Sequence, residues 1–235
     1  MKKTILFDLD GTLLPLDNKE FETSYITSIT SFVKDILEPR KMAESLWQAS
    51  AVMVQSNDDT KTNEEVFYGE FDKLVGKETS DKLLAVLDDY YSTGFDVVKD
   101  ITFIDDNVVE AVRYLKEKGH KVILATNPMF PKMATDKRIL WAGFTPEDFD
   151  YVTRFEVDHF CKPNPSYYQE IMRINNLDPK ECVMIGNDVQ EDMMAKSLGM
   201  DAWLIDDNLI HRGGEMTFDW RGSRQDLLAH IKEVF

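Results

Sequence analysis

The chain predicts an α/β fold: a doubly wound parallel sheet into which a bundle of α-helices is inserted directly after the first strand. Three observations predict it. After about Asp100, short aliphatic runs alternate with helical periodicity, the signature of βαβ crossovers and a sheet covered on both faces. From about Lys19 to Phe95 the pattern is helical throughout, with almost no strand-like run. The opening run Thr4-Ile5-Leu6-Phe7 belongs with the later strands, so the helical block interrupts their sheet.

The first strand delivers Asp8 and Asp10 into the turn Gly11-Thr12. In an extended chain residues i and i+2 point the same way, so the two carboxylates face one site. Held close, they repel unless a cation or a shared proton relieves them.

The helical block then reads as four amphipathic helices. Glu20–Leu37 carries Phe21, Tyr25, Ile29, Phe32, Val33 and Ile36 at spacings of three and four, and Pro39 ends it. Arg40–Val54 places Ala43, Leu46, Trp47 and Val54 on one face. Thr62–Val75 opens with Thr62 and Glu65 at the capping-box spacing. Ser80–Phe95 adds Leu83, Leu84, Leu87, Tyr90 and Tyr91. Short joints between such helices make a small bundle.

Beyond the block, a helix over Asn107–Lys118 stops at Gly119, a strand follows at Lys121–Ala125, and another helix closes at Ile139–Gly143. Tyr151–Phe155, Glu181–Ile185 and Asp201–Ile205 read as strands; Tyr167–Asn175, Asp188–Leu198 and Gln225–Val234 read as helices. Phe218-Asp219-Trp220-Arg221-Gly222 reads as a packed loop. The predicted division is a core of residues 1–15 and 98–235 and a cap of residues 16–97, joined near Pro15–Asn18 and Asp96–Asp100.

Composition narrows the function class. With 235 residues, 43% hydrophobic and 30% charged, the chain has the make-up of a globular protein. A net charge of −16 argues against a nucleic-acid or anionic-membrane partner. An anionic substrate must then be drawn in by a local cation. No stretch approaches the ~20 apolar residues of a membrane span. The Ile5-Leu6-Phe7 run stops at Asp8 instead of extending into a signal sequence. Two cysteines, Cys161 and Cys182, suit unpaired thiols in a reducing compartment, and the expected location is cytoplasmic. The oligomeric state leaves no mark in the sequence.

In open α/β sheets the site lies beyond the carboxyl ends of the strands. The strand exits here offer, in order, Asp8 and Asp10; Thr126 and Asn127; Lys162, held extended by Pro163; and Gly186-Asn187-Asp188-Val189-Gln190-Glu191-Asp192. This ordered set resembles the four motifs of the haloacid dehalogenase (HAD) superfamily of phosphohydrolases. The resemblance covers the whole core and implies a Rossmann-like fold, with the insertion similar to that superfamily's helical C1-type cap. About 35 residues separate Thr126 from Lys162, too few for a second cap.

The chemistry of the residues agrees. A carboxylate can attack a phosphoryl group, and Asp8 is the candidate nucleophile. Asp10 can protonate the leaving alcohol and then deprotonate the attacking water. Thr126, Asn127 and Lys162 are candidates for the phosphoryl oxygens, whose charge must be stabilised. Mg²⁺ prefers oxygen ligands, with one or two carboxylates beside waters and phosphate. Asp8, the backbone carbonyl of Asp10 and an acid of the last motif would supply it. The family pattern puts an aspartate where this chain has Asn187, so either Asn187 offers its amide oxygen or Asp188 ligates from one residue on, with Asp192 behind. Asn187 or Asp188 can also cap a following helix, with Glu191 in the capping-box position.

The resemblance further implies that the joint Pro39-Arg40-Lys41 faces the core site, where Arg40 and Lys41 could hold a second anionic group; the alternative is a solvated helix start. The expected protein is a Mg²⁺-dependent phosphomonoester hydrolase acting on a small phosphorylated metabolite through an aspartyl-phosphate. A phosphomutase of the β-phosphoglucomutase type and a non-catalytic regulatory protein of the same fold are the alternatives. A dehalogenase would lack the second aspartate, which Asp10 supplies.

Overall fold

The computed structural model describes residues 3–235. Six parallel strands form one sheet in the order β3-β2-β1-β4-β5-β6. They are β1 (Thr4–Phe7), β2 (Lys121–Leu124), β3 (Tyr151–Val152), β4 (Cys182–Gly186), β5 (Asp201–Ile205) and β6 (Trp220–Gly222). β1 is central, with Phe7 in register with Leu124 on one side and Ile185 on the other. The order reverses between β1 and β4, which opens a crevice at their carboxyl ends. Every residue of β1 is buried, as a strand covered on both faces requires.

Helices α1 (Asn18–Phe32), α2 (Pro39–Val54), α3 (Asn63–Val75) and α4 (Lys77–Ser92) form the cap, followed by a 3-10 segment Gly94–Ile101. In the core lie α5 (Asp106–Glu117), α6 (Lys132–Trp141), α7 (Pro165–Asn175) and α8 (Arg224–Val234). The Thr62–Glu65 capping box forms at the start of α3. The cap rests on the core through this end of α3. There Asn63 N–H donates to Asp158 O at 2.9 Å and Glu64 N–H to Phe155 O at 3.0 Å. On the opposite side Lys137 of α6 reaches Asp96 and Ser92 O, each at 2.6 Å. Phe95 stacks on Trp141 at 5.3 Å and carries the apolar core across the junction.

Several elements differ from the sequence reading. α1 ends at Phe32, five residues before the expected Leu37, because the chain turns at Val33, whose carbonyl accepts from both Ile36 and Leu37. Pro39 starts α2 rather than only ending α1, with Glu38 capping Arg40 N and Lys41 N. α4 begins at Lys77 and stops at Ser92, and Phe95 falls in the 3-10 segment. β3 holds two residues where five were expected, since the chain turns at Arg154, whose carbonyl accepts from Val157 and Asp158. The helix expected at Asp188–Leu198 is a 3-10 helix of Met193–Leu198 only, for reasons given below. Trp220–Gly222 is an edge strand paired with β5, not a loop. Among the described residues no helix is long and apolar enough to cross a membrane. Cys161 and Cys182 are buried free thiols.

Candidate active site

The turn after β1 is held by its own backbone. Leu14 N–H donates to Leu9 O at 2.8 Å, and Gly11 N–H to Leu14 O at 2.8 Å. Gly11 has φ +83°, and a Cβ there would land 2.2 Å from the Asn187 amide, so only glycine lets the β1 and β4 exits close on one another. Arg224, at the start of α8, fixes the turn from behind by donating to Thr12 O at 2.8 Å and Gly11 O at 2.5 Å.

Asp8 and Asp10 both line one cavity of about 280 Å³ between the strand ends and the cap, together with Thr126, Asn127, Asn187, Asp188, Glu191 and Asp192. Lys162, 1% exposed, lies just behind this wall. Its Nζ donates to Asp8 Oδ1 at 2.8 Å and to Asp192 Oδ1 at 2.6 Å. Burial opposes the charge on Lys162, but Asp192 and Asp8 outweigh it and hold the amine well above its ordinary pKa. Burial pushes the Asp8 carboxyl up to about 6, with Lys162 pulling the other way. It pushes Asp192 up to about 7, again against Lys162. Glu191 is raised to about 7 by burial and by neighbouring Asp188.

The structure thus brings together Asp8, Asp10, Thr126, Asn127, Lys162, Asn187, Asp188 and Asp192, but with different occupations. Asn127 is already engaged: its Oδ1 accepts from Lys162 N at 3.1 Å and its Nδ2 donates to Glu191 at 3.1 Å. Asn187 is buried, accepting from Thr12 Oγ1 at 3.0 Å and donating to Asn208 O at 2.7 Å. Asp188 Oδ1 accepts from Gln190 N and Glu191 N, and Arg212 donates to both its oxygens, at 2.9 and 2.7 Å. Asp192 Oδ2 accepts from Asp188 N at 2.9 Å. These side-chain bonds compete with helix formation and delay the helix to Met193. Gly186 is needed here too, because a Cβ would sit 2.1 Å from Asp192 Oδ2.

Arg40 and Lys41 are not brought to the site. Neither lines the cavity, and the Arg40 side chain is 84% exposed and paired with Glu44 at 2.8 Å.

Three groups at the site had no role in the sequence reading: Arg138, Glu191 and Arg212, the last lining the cavity and paired with Asp188. Arg138 of α6 is buried, ion-paired with Asp10 Oδ2, and lies 4.5 Å from the centre of the Phe130 ring. Glu191 read only as a capping position and instead lines the cavity. Arg138 stands among Lys132, Asp136 and Lys137, so its sequence neighbourhood reads as a solvated helix face. Its one signal is Ile139 and Trp141 beside it, which turn this part of α6 inward.

Among the described residues no three acidic, histidine or cysteine side chains form a ready-made metal cluster. Mg²⁺ does not need one, since it keeps several waters and takes one or two carboxylates with the substrate's phosphate. The donor set is all oxygen, the Asp8, Glu191 and Asp192 carboxyls are raised first by burial and further by the acids beside them, and Asp10 Oδ1 is buried without a partner. A hard cation at the mouth of β1 would relieve that crowding, so the residues fit one.

A doubly wound sheet with paired aspartates at the central strand's exit, a lysine behind them and a helical cap above defines an α/β protein with an acidic cleft at its topological switch point. The model of the haloacid dehalogenase-like hydrolases matches residues 2–199, and the chain belongs to that family. A glyceraldehyde 3-phosphate phosphatase of Methanothermobacter thermautotrophicus is 24% identical over 211 residues, 89% of this chain and 88% of its own. The pyrophosphatase PpaX of Bacillus cereus is 23% identical over 197 residues, 83% of this chain and 79% of its own. In fold, the chain is similar to a crystal structure of 2-haloacid dehalogenase from Pseudomonas syringae, with a TM-score of 0.66 at 18% identity over 99% of both chains.

Proposed function

We propose that this protein is a Mg²⁺-dependent phosphomonoester hydrolase that works through an aspartyl-phosphate on Asp8. The observation that carries the reading is the pairing of Asp8 with buried Lys162 at 2.8 Å, with Asp10 on the same cavity wall. The similarity to a glyceraldehyde 3-phosphate phosphatase and to a pyrophosphatase supports it.

In the first step the free carboxylate oxygen of Asp8 attacks phosphorus, and the ester P–O bond breaks. Asp10 gives its proton to the departing oxygen, so the alcohol leaves neutral. In the second step Asp10 takes a proton from water, whose oxygen attacks phosphorus. The bond from Asp8 to phosphorus breaks, and inorganic phosphate departs. Lys162 orients Asp8 and stays within reach of the phosphoryl oxygens, beside Thr126 and the Asn127 backbone. Asp8, the Asp10 carbonyl and the β4 exit, through Asp188, Asn187 or Glu191, would hold Mg²⁺, which would offset the phosphoryl charge when bound. Asp192 serves through Lys162.

The test is phosphate release from p-nitrophenyl phosphate, with and without EDTA, and mass analysis of acid-quenched enzyme. Activity is expected to vanish on chelation and return with Mg²⁺, and a phosphate adduct is expected on the peptide containing Asp8. Full activity in EDTA, or an adduct elsewhere, would refute the assignment.

A further inference from the structure

We propose that the group released from the phosphate is a ring-sized apolar alcohol or phenol, selected by an apolar chamber in the cap. The inference rests on the phosphatase reading and specifies its substrate class.

The cavity that exposes Asp8 and Asp10 extends upward between α1, α2 and α3. There its wall is apolar, built by Met42, Leu46, Phe67, Phe71, Phe130 and Phe155 among others. The polar groups of this region are few, and several are already engaged. The Tyr25 and Tyr91 hydroxyls bond to each other at 3.0 Å. Arg138 is taken by Asp10 and covered by the Phe130 ring. What remains toward the cap is Asn18, Ser50, the half-buried Tyr68 and one acid, Glu22.

Two kinds of leaving group fit this wall badly. A polyol such as a sugar would bury several hydroxyls with hardly a partner, and each unpaired group costs affinity. A leaving group with a second anion would meet Glu22 and no uncommitted cation, because Arg40 and Lys41 lie outside the cavity and its two arginines, Arg138 and Arg212, are paired with Asp10 and Asp188. A flat apolar group fits: it exchanges water for aromatic and aliphatic surface, and rings pack on rings edge to face. The size agrees, since an apolar cavity of about 150 Å³ holds one benzene ring. The 280 Å³ here has room for a phosphoryl group and a ring.

The test compares benzyl phosphate with glycerol 3-phosphate and glyceraldehyde 3-phosphate in the full-length, Mg²⁺-loaded enzyme. We expect kcat/KM to favour benzyl phosphate by roughly a hundredfold; a ratio within threefold, or a reversed one, overturns the inference. A binding arm separates this from failure of the phosphatase reading. In calorimetry, benzylphosphonate is expected to bind at least tenfold tighter than methylphosphonate, and equal affinity overturns the chamber. Tight benzylphosphonate binding with no ester hydrolysed would uphold the chamber and sink the phosphatase reading instead. Leu46→Gln should cut the benzyl-to-glycerol ratio at least tenfold, while Leu46→Met, close in volume, keeps it. An unchanged ratio in a folded Leu46→Gln enzyme would place the selectivity elsewhere.

Discussion

The floor and the ceiling of the cavity are built on opposite terms. The floor is a set of charged side chains carried on loops at strand ends: Asp8, Asp10, Lys162, Glu191 and Asp192, the four carboxyls raised by burial and the lysine raised against burial by Asp192 and Asp8. The ceiling is the inner face of helices, where Met42, Leu46 and Phe71 are buried as ordinary apolar stripes would be. Charges taken out of water are costly unless each finds a partner, whereas apolar side chains on a helix stripe stabilise by burial alone. The floor therefore sacrifices stability for reactivity. The ceiling holds the lid together and needs no special geometry beyond a helical period.

The sharpest way to break this contrast is Asp8→Asn. If the floor serves chemistry, turnover of an aryl phosphate should fall at least about a thousandfold. The melting temperature should stay within about 3 °C, because the change removes a buried like charge near Asp10 and Glu191 and leaves Lys162 with Asp192. Steady-state kinetics and thermal denaturation check both halves. Retention of a tenth of the turnover would remove Asp8 as nucleophile.

A middle-sized effect tests whether the floor is balanced pair by pair. Arg138, buried, and Asp10, with 24% of its side chain exposed to the cavity, form an ion pair, and Asp10 keeps a raised pKa because burial outweighs the arginine's pull. Arg138→Leu strands that carboxylate without its cation and should cost about 3 kcal/mol, or roughly 6–12 °C of melting temperature for a chain this size. Adding Asp10→Asn should recover part of the loss, as a double-mutant cycle would show. A drop under about 2 °C would mean the pair contributes nothing to the fold.

The same contrast explains what the sequence made legible. Strand ends and helix stripes follow from local periods, so β1, β2, β4, β5 and the four cap helices are readable within a few residues. The floor's ligating types are also readable, because Asp8 and Asp10 follow an apolar run and Lys162 stands directly before Pro163 in the loop after the Tyr151 strand. What is lost is what depends on contacts across long sequence separations. Arg138 meets Asp10 from 128 residues away, and the one sign of burial near it, Ile139 and Trp141, is outweighed by Lys132, Asp136 and Lys137. Glu191 and Asp188 looked like helix-capping positions; Asp188 does accept two backbone N–H groups there, yet Arg212, 24 residues on, sets its other partner. The short β3 and the edge strand Trp220–Gly222 escape for a related reason. Strands of two and three residues are too short for a period, and only pairing with β2 and β5 defines them.

The smallest expected effect is the most discriminating for the ceiling. Two adjacent cations at the head of a cap helix, Arg40 and Lys41, are what a substrate-anchoring joint looks like in sequence. In the structure Arg40 spends its guanidinium on Glu44 one turn along α2, with 84% of its side chain in solvent, and neither residue borders the cavity. An exposed pair of this kind contributes little to anything beyond its own helix. The double variant Arg40→Ala, Lys41→Ala should therefore change kcat/KM by less than about twofold, for polar and apolar phosphate esters alike. An effect above tenfold on any ester would mean that the substrate is anchored at this joint. The apolar wall would then be packing rather than a binding surface. A null result leaves selection to the side chains that enclose the leaving group, as a ceiling without free cations requires.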